Sequence, residues 1–167
     1  EGLIKSLRFP LTTLICSLVC RNIIVFGHNI VIYVLVMVYA GIPLTLSTLL
    51  LLPGLLLVAL NAIWVAIMLG IFGARFRDIP PVVMAVLQIV VFITPIFWNA
   101  EQIKGKVGFV LTDLNLFYHF VQIVRSPLLG QSPPILSWLV ALSVGLLGWL
   151  VMLAMFSRFR HRIAYWL

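Results

Sequence analysis

Acidic residues are scarce in this sequence. Only four of its 167 residues are Asp or Glu, against 11 Lys or Arg, and charged residues of either sign make up 9% of the chain. A soluble domain has about 25% charged and about 45–50% apolar residues, whereas 63% of this chain is apolar. The composition excludes an ordinary water-soluble globule and a disordered chain. Because the cations are not gathered on one face or in one tail, it also disfavours nucleic-acid binding.

Sequence motifs of soluble enzymes are absent as well. There is no P-loop, no Gly-rich dinucleotide fingerprint and no Cys/His cluster with zinc spacing. We therefore expect a chain that is not an enzyme and holds no cofactor or metal of its own. The acids Glu1, Asp78, Glu101 and Asp113 fall outside the predicted membrane spans. This disfavours a proton- or sodium-coupled transporter, which usually buries a carboxylate at membrane depth, so any transport would be driven by another chain.

In place of such motifs, the sequence contains long stretches without ionised side chains. They separate Arg21 from Arg75 and also cover 79–100 and 126–157. A helix needs about 20 residues to cross a bilayer core of about 30 Å, so the sequence predicts an all-α polytopic membrane protein forming one domain over 1–167. Gly and Pro punctuation places four transmembrane helices; these are 22–40, 46–71 with a kink at Pro53-Gly54, 80–98 and 135–157.

Lys and Arg in the flanks and short loops set the orientation, because these residues are retained on the cytoplasmic side. With the N-terminus inside, eight cations lie on the inner side and three on the outer side. The sequence therefore predicts that both ends of the chain are cytoplasmic. The inner set is Lys5, Arg8, Arg21, Arg75, Arg77, Arg158, Arg160 and Arg162, and the outer set is Lys104, Lys106 and Arg125.

The first predicted span is exceptional in carrying polar residues, namely Arg21, Asn22, His28 and Asn29. At about 100° per residue, these four fall in one sector roughly 100° wide. Polar groups in a membrane helix face the protein interior or water. The sector is either a face for interhelical hydrogen bonds, with Arg21 reaching the head groups, or the lining of a pathway or gate.

The segment from Gly73 to Pro81 joins two predicted spans on the cytoplasmic side and contains Arg75, Arg77 and Asp78. One interpretation is simple topology, with Asp78 capping the next helix by accepting backbone N–H groups. The other is a rigid contact surface for a cytoplasmic partner.

The segment 99–134 is too long for a plain turn. Residues 114–125 are typical of a short helix or re-entrant hairpin, which carries Tyr118 and His119, while Phe92, Phe97 and Trp98 lead into the segment. Aromatic faces suit the apolar C–H faces of sugar rings, or else they serve only as anchors at the membrane interface.

Six stretches, spread in order over nearly the whole chain, resemble the permease subunit of ABC-2 type polysaccharide exporters, the O-antigen, capsule and teichoic-acid group. One departure is Asn115-Leu116, where the family commonly has Asn-Pro. The stretches are Leu7-Arg8-Phe9-Pro10-Leu11, 72–79, 92–98, 114–119, 125–129 and 162–167.

The resemblance implies a six-span permease of the bacterial inner membrane that pairs as a homodimer and is driven by a separate ATP-binding subunit, which holds ATP and Mg. The four spans here would be the last four, so we expect the chain, which starts at Glu1 and not at Met, to be truncated at its N-terminus. An amphipathic helix and two spans would be missing. Arg8, Arg75, Arg77 and Asp78 would contact the ATP-binding subunit, and 99–134 would be a periplasmic gate. The substrate would be a lipid-linked glycan.

Three other functions stay open at this level, and one of them is a structural membrane subunit without transport of its own. The same scaffold exports drugs or lipids, which gene neighbours would distinguish from a glycan. A membrane-embedded transferase would need a base or nucleophile at the membrane surface, for which His28, His119 and Asp113 are the candidates.

Overall fold

A computed structural model describes residues 11–41, 45–76, 78–98 and 105–159. Within these ranges the chain is helical. The helices are α1 (Leu11–Ala40), α2 (Leu51–Arg75), α3 (Ile79–Ile93), α4 (Lys106–Thr112), α5 (Leu116–Leu128) and α6 (Ile135–Phe159), and a 3₁₀ turn, Leu46–Leu50, leads into α2.

Three of the described helical segments are long and apolar enough to cross a membrane, namely Cys16–Tyr39, Leu46–Gly73 and Ile135–Arg158. They correspond to three of the four predicted spans. The first helix begins at Leu11 and not near residue 22, because residues 11–20 are uncharged and contain no Gly or Pro. Arg21 therefore lies inside the helix.

In place of the predicted kink at Pro53-Gly54, the structure has a change of helix type a few residues earlier. The 3₁₀ turn changes to α-helix at Leu51, which places Pro53 in the first turn of α2. A proline is tolerated there, since its missing N–H would have no partner within the helix.

The predicted third span, 80–98, extends beyond the end of the corresponding helix. Helix α3 has 15 residues and ends at Ile93, a length of about 22 Å at 1.5 Å per residue, and it is the shorter apolar helix of the structure. Its end follows from Pro95, because a proline disfavours the α conformation in the residue before it. Thr94 accordingly has φ −73° and ψ 132°.

Helices α2 and α6 form the centre of the bundle. The Cβ position of Gly145 lies beside Asn61 and that of Gly148 beside Trp64, so the two helices run in the same direction. Ile67, Ile71 and Met152 are buried between them. Small residues allow such close approach of membrane helices, where packing rather than the hydrophobic effect drives association.

The remaining helices define two ends of this bundle. Helix α3 starts beside the end of α2, where Pro80 lies 3.7 Å from the Cβ position of Gly73. We call the end of the bundle where α2 ends and α3 begins the turn end; its described residues between the two helices and at the end of α2 are Arg75, Phe76 and Asp78. Helix α5 contacts the first turns of α2 and α6 at the opposite end, since Ile123 packs on Gly54 and His119 meets Ser137. We call that the α5 end.

Candidate functional site

The start of α5 is fixed by its own sequence. Asn115 stands just before the helix with β-region backbone angles, and its side-chain oxygen accepts hydrogen bonds from the backbone N–H of Phe117 and Tyr118. Asn is among the best residues for this position. The predicted short helix within 114–125 is therefore confirmed as α5, and Asn115 explains where it begins.

His119 attaches α5 to α6. Its side chain is 2% exposed, with Nδ1 3.0 Å from the Ser137 hydroxyl and Nε2 3.0 Å from the Asp113 carbonyl oxygen. Because a carbonyl only accepts, Nε2 carries a hydrogen, and in the neutral ring Nδ1 accepts from Ser137. Both ring nitrogens are thus occupied, and removing either partner would leave a buried polar atom unsatisfied.

A second row of polar contacts runs along α5 itself. The Gln122 amide donates to the Tyr118 hydroxyl at 2.9 Å, and the Ser126 hydroxyl donates to the other end of the same amide at 3.0 Å. The Tyr118 ring also meets His119 edge-on, with centroids 5.7 Å apart. The polar residues of α5 are therefore linked to one another within the bundle.

Two further bonds join α5 to the end of α3. The Asn115 side-chain N–H₂ donates to the Thr94 hydroxyl at 3.1 Å, and Arg125 donates to the Pro95 carbonyl at 3.2 Å. Thr94 and Pro95 are almost completely buried. We call these four residues the α3–α5 clasp.

The aromatic residues that lead into this region are placed differently. Phe92 and Phe97 are exposed, at 69% and 80%, and the Trp98 indole N–H donates to the Phe92 carbonyl at 3.1 Å. Tyr118 is half-buried on α5. The structure therefore brings Tyr118 and His119 together and leaves Phe92 and Phe97 on the outside of the described chain.

The polar sector of α1 lies largely away from the bundle. The inward side of α1 is marked by residues that are buried or half-buried: Val19, Phe26, Ile30, Tyr33 and Met37. On an ideal helix, Arg21 and His28 are roughly 150–170° away from that side, and Asn22 and Asn29 roughly 50–70° away. All four are exposed.

Asn22 differs from the other three in its surroundings. It lines a cleft of about 230 Å³ between α1, α2 and α5, whose other lining residues are apolar. His28 and Asn29 lie near the middle of the apolar segment Cys16–Tyr39, where contact with lipid is costly for a polar group. This sector therefore needs protein or water against it.

The predicted helix cap at Asp78 is wrong. Asp78 precedes α3, but its side chain makes no capping bond. A capping side chain accepts from the N–H of the second or third helical residue, and these are Pro80 and Pro81, which have none. Asp78 is exposed, and the Arg75 guanidinium lies 5.2 Å from the centre of the Phe76 ring. Arg8 and Arg77 lie outside the described residues.

Asn61, a buried amide at the centre of the bundle, was not among the predicted site residues. Its Nδ2 donates to the carbonyls of Leu57 at 2.9 Å and Ala141 at 3.3 Å, while its Oδ1 accepts from the Trp64 indole at 3.0 Å. The signal was available, since Asn61 is the one amide in the apolar stretch 46–71.

Comparison with known protein families gives one finding for this chain. Residues 3–129 match the ABC-2 type transporter family, a range that covers about three quarters of the sequence and includes α1 to α5. Comparisons with curated proteins and with solved structures gave no match. With three apolar helices long enough to span a membrane and a family match of this extent, the chain belongs to the ABC-2 type transporter family and is a membrane permease component of an ABC transporter.

Proposed function

We propose that this permease exports a lipid-linked polysaccharide of the O-antigen or capsule class across the bacterial inner membrane, as one half of a homodimer powered by a separate ATP-binding subunit. The family match over residues 3–129 carries the transporter assignment. The ordered resemblance to polysaccharide-exporter permeases, which extends to residues 162–167, supports the substrate class.

The distribution of acids supports an external source of energy. Asp78 and Asp113 are exposed and lie outside the three long apolar segments, and the remaining acids, Glu1 and Glu101, also fall outside those segments in the sequence. Neither of the two carboxylates that the structure describes, Asp78 and Asp113, thus lies within a long apolar segment, where ion coupling at membrane depth would need one. The ATP-binding subunit would contact the turn end through Arg75, Arg77 and Asp78, together with Arg8, on the cytoplasmic side that also holds both chain ends.

The polar sector of α1 supports a hydrated pathway. Arg21, His28 and Asn29 are exposed on α1, and Arg21 and His28 lie roughly opposite the side of the helix that packs into the bundle. Hydroxyl-rich glycan and water would satisfy these groups, and the second copy of the permease would close the other side of the channel. Asn22, at the edge of the sector, would line the same route.

The α5 end would form the outer gate before the last span. Helix α5 packs against Gly54 of α2 and Ser137 of α6, so movement of α5 would change the opening between the first turns of two spans. Aromatic side chains would form the margin of that gate, because their ring faces suit the apolar C–H faces of sugars. These residues are Phe92, Phe97, Trp98, Tyr118 and His119.

The transferase alternative has less support from the geometry. His119 is buried and both of its ring nitrogens are engaged by Ser137 and the Asp113 carbonyl. It is therefore not available to take a proton from a substrate. His28 is exposed on α1, on the sector that we assign to the pathway.

ATP hydrolysis by the reconstituted transporter tests the substrate class. The full-length permease is assembled with its ATP-binding subunit, and hydrolysis is measured with a lipid-linked glycan or with the same lipid carrier without sugar. We expect the glycan to stimulate hydrolysis and the bare carrier not to. Equal stimulation by the two lipids, or stimulation by a drug alone, would overturn the glycan assignment. An ATPase-deficient variant of the subunit provides the background.

A further inference from the structure

Helix α3 differs from the three long apolar helices in how it is held. None of its residues is buried, and residues on opposite sides of it, such as Val82 and Met84, are well exposed. In the part of the chain that the structure describes, α3 meets α2 at its start, through Pro80 and Gly73, and the residues just after its end, Thr94 and Pro95, are bonded to α5. A helix held in this way is able to shift as a unit without disturbing a packed core.

The first of these ends is the turn end. The connection from α2 to α3 is short. The N–H of Phe76 donates to the carbonyl of Phe72, and the N–H of Ile79 donates to the carbonyl of Phe76. Pro80 and Pro81 stiffen the first turn of α3, since proline fixes φ near −65°. A force applied at the first turn of α3 would therefore move the helix as a unit.

The second end is the α3–α5 clasp. Thr94 and Pro95 follow directly after the exposed helix, yet they are among the most buried residues of the structure. They are bonded by Asn115 and Arg125, which stand at the beginning and near the end of α5. The two bonds therefore hold α5 at two separate points along its length, which fixes its direction as well as its position.

Helix α5 in turn contacts both central helices. Ile123 lies against Gly54, with its Cγ2 only 2.8 Å from the Cβ position of that glycine, and His119 bonds to Ser137. The Thr45 hydroxyl, just before the 3₁₀ turn, also donates to the Gly130 carbonyl after α5. A displacement of α5 would therefore change its contacts with the first turns of both α2 and α6.

We propose that Asn115 and Arg125 are positioning residues of the permease, and that the α3–α5 clasp transmits movement of the turn end to α5. The start of α3 lies at the contact for the ATP-binding subunit and its end lies at the gate, so movement of the helix as a unit would couple the two. This inference rests on the proposed function, because it takes the turn end as the place where ATP-driven movement enters. It adds the residues that carry the movement across the membrane.

The test separates movement of α3 from movement of α5. Spin labels are placed on exposed residues of the full-length permease in complex with its ATP-binding subunit, one pair at Val86 and Leu146 and another at Phe117 and Leu146. The pairs report the distances of α3 and α5 from α6. In the wild-type protein we expect both distances to change during ATP turnover.

The variant Thr94→Val/Arg125→Met breaks both bonds of the clasp while keeping the Asn115 cap. We expect the α3–α6 distance still to change and the α5–α6 distance to stay fixed, while glycan transported per ATP hydrolysed falls at least about fivefold. Each single variant should lose part of the α5 movement, so the test does not depend on folding of the double variant. Thr94→Ser, which keeps the hydroxyl, should behave as the wild type.

Thr112→Val is the matched control. The Thr112 hydroxyl bonds to Gly108 and Asp113 within the same region and does not touch α3. An α5 movement that survives in the double variant, or that is absent from the wild type, would overturn the proposal. If α5 moves with ATP in the wild type but no glycan is transported, the substrate assignment fails and the clasp stands.

Discussion

The substitution Gly148→Ala gives the sharpest test of how α2 and α6 pack. A Cβ at Gly148 would lie 2.2, 2.5 and 2.6 Å from three atoms of the Trp64 indole. Carbon atoms in contact prefer about 3.5–4.0 Å, so the ring or the helix would have to retreat by about 1.3 Å. The indole is a rigid ring whose N–H is bonded to Asn61, which makes that retreat difficult.

The expected magnitude follows from two opposing effects. Overpacking of this kind costs about 1–3 kcal/mol, while replacing Gly by Ala in a helix interior stabilises it by about 1 kcal/mol. Because the contact is very close, we expect a net loss of about 1–2 kcal/mol in the free energy of unfolding. For a protein of this size each kcal/mol corresponds to about 2–4 °C in the Tm.

Gly27→Ala is the control, since nothing lies within 4 Å of a Cβ at that position on α1. It should be neutral or stabilising by up to about 1 kcal/mol. The assay is thermal and denaturant unfolding of the purified permease in detergent. Adding Trp64→Leu to Gly148→Ala should recover part of the loss, as expected for residues in contact. A Gly148→Ala variant as stable as Gly27→Ala would refute this account of the packing.

Three further substitutions test the hydrogen bonds of the site. Asn61→Leu leaves the Trp64 N–H and the Ala141 carbonyl without their partner, and we expect a loss of about 1–2 kcal/mol in unfolding experiments in detergent; no change would show that the amide is dispensable. His119→Leu should cost about 1–3 kcal/mol and increase proteolysis of the segment around α5, whereas an unchanged digestion pattern would contradict the role of His119 in holding α5. Asn115→Ala should lower protection of the amides of Phe117 and Tyr118 in hydrogen exchange, with a cost of about 1 kcal/mol, and Asn115→Asp should restore most of it because a carboxylate also accepts there.

The long helices were predictable because their cause is local and repeated. Charge-free stretches predicted Leu46–Gly73 and Ile135–Arg158 to within a few residues. The start of α1 was missed because Arg21 was taken as the boundary. A single arginine near the end of a span does not stop a helix, since its long side chain extends toward the head groups.

The two errors around α3 have a common origin in proline. Pro95 ends α3 earlier than predicted by forcing Thr94 out of the α conformation. Pro80 and Pro81 remove the N–H groups that an Asp78 cap would need. Both proline effects were visible in the sequence. The apolar composition of 80–98 outweighed Pro95 in the prediction of the helix end, and the position of Asp78 just before the helix led to the predicted cap.

The contacts between distant segments were not predictable from the sequence. The α3–α5 clasp joins residues 21 and 30 positions apart, and the Asn61 bond to Ala141 spans 80 positions. No periodicity within one helix specifies such pairs. The polar sector of α1 was recognised from its spacing, whereas its position relative to the packed side depends on which face of α1 meets α2.

Transport by the full-length permease and its ATP-binding subunit in proteoliposomes tests the central claim most directly. Lipid-linked glycan is added to the ATP-facing leaflet, and its exposure to a glycan-cleaving enzyme is measured in the opposite compartment. The account predicts cleavage that requires ATP and is lost with an ATPase-deficient subunit. Cleavage that is equal without ATP, or ATP hydrolysis with no glycan reaching the other side, would contradict it.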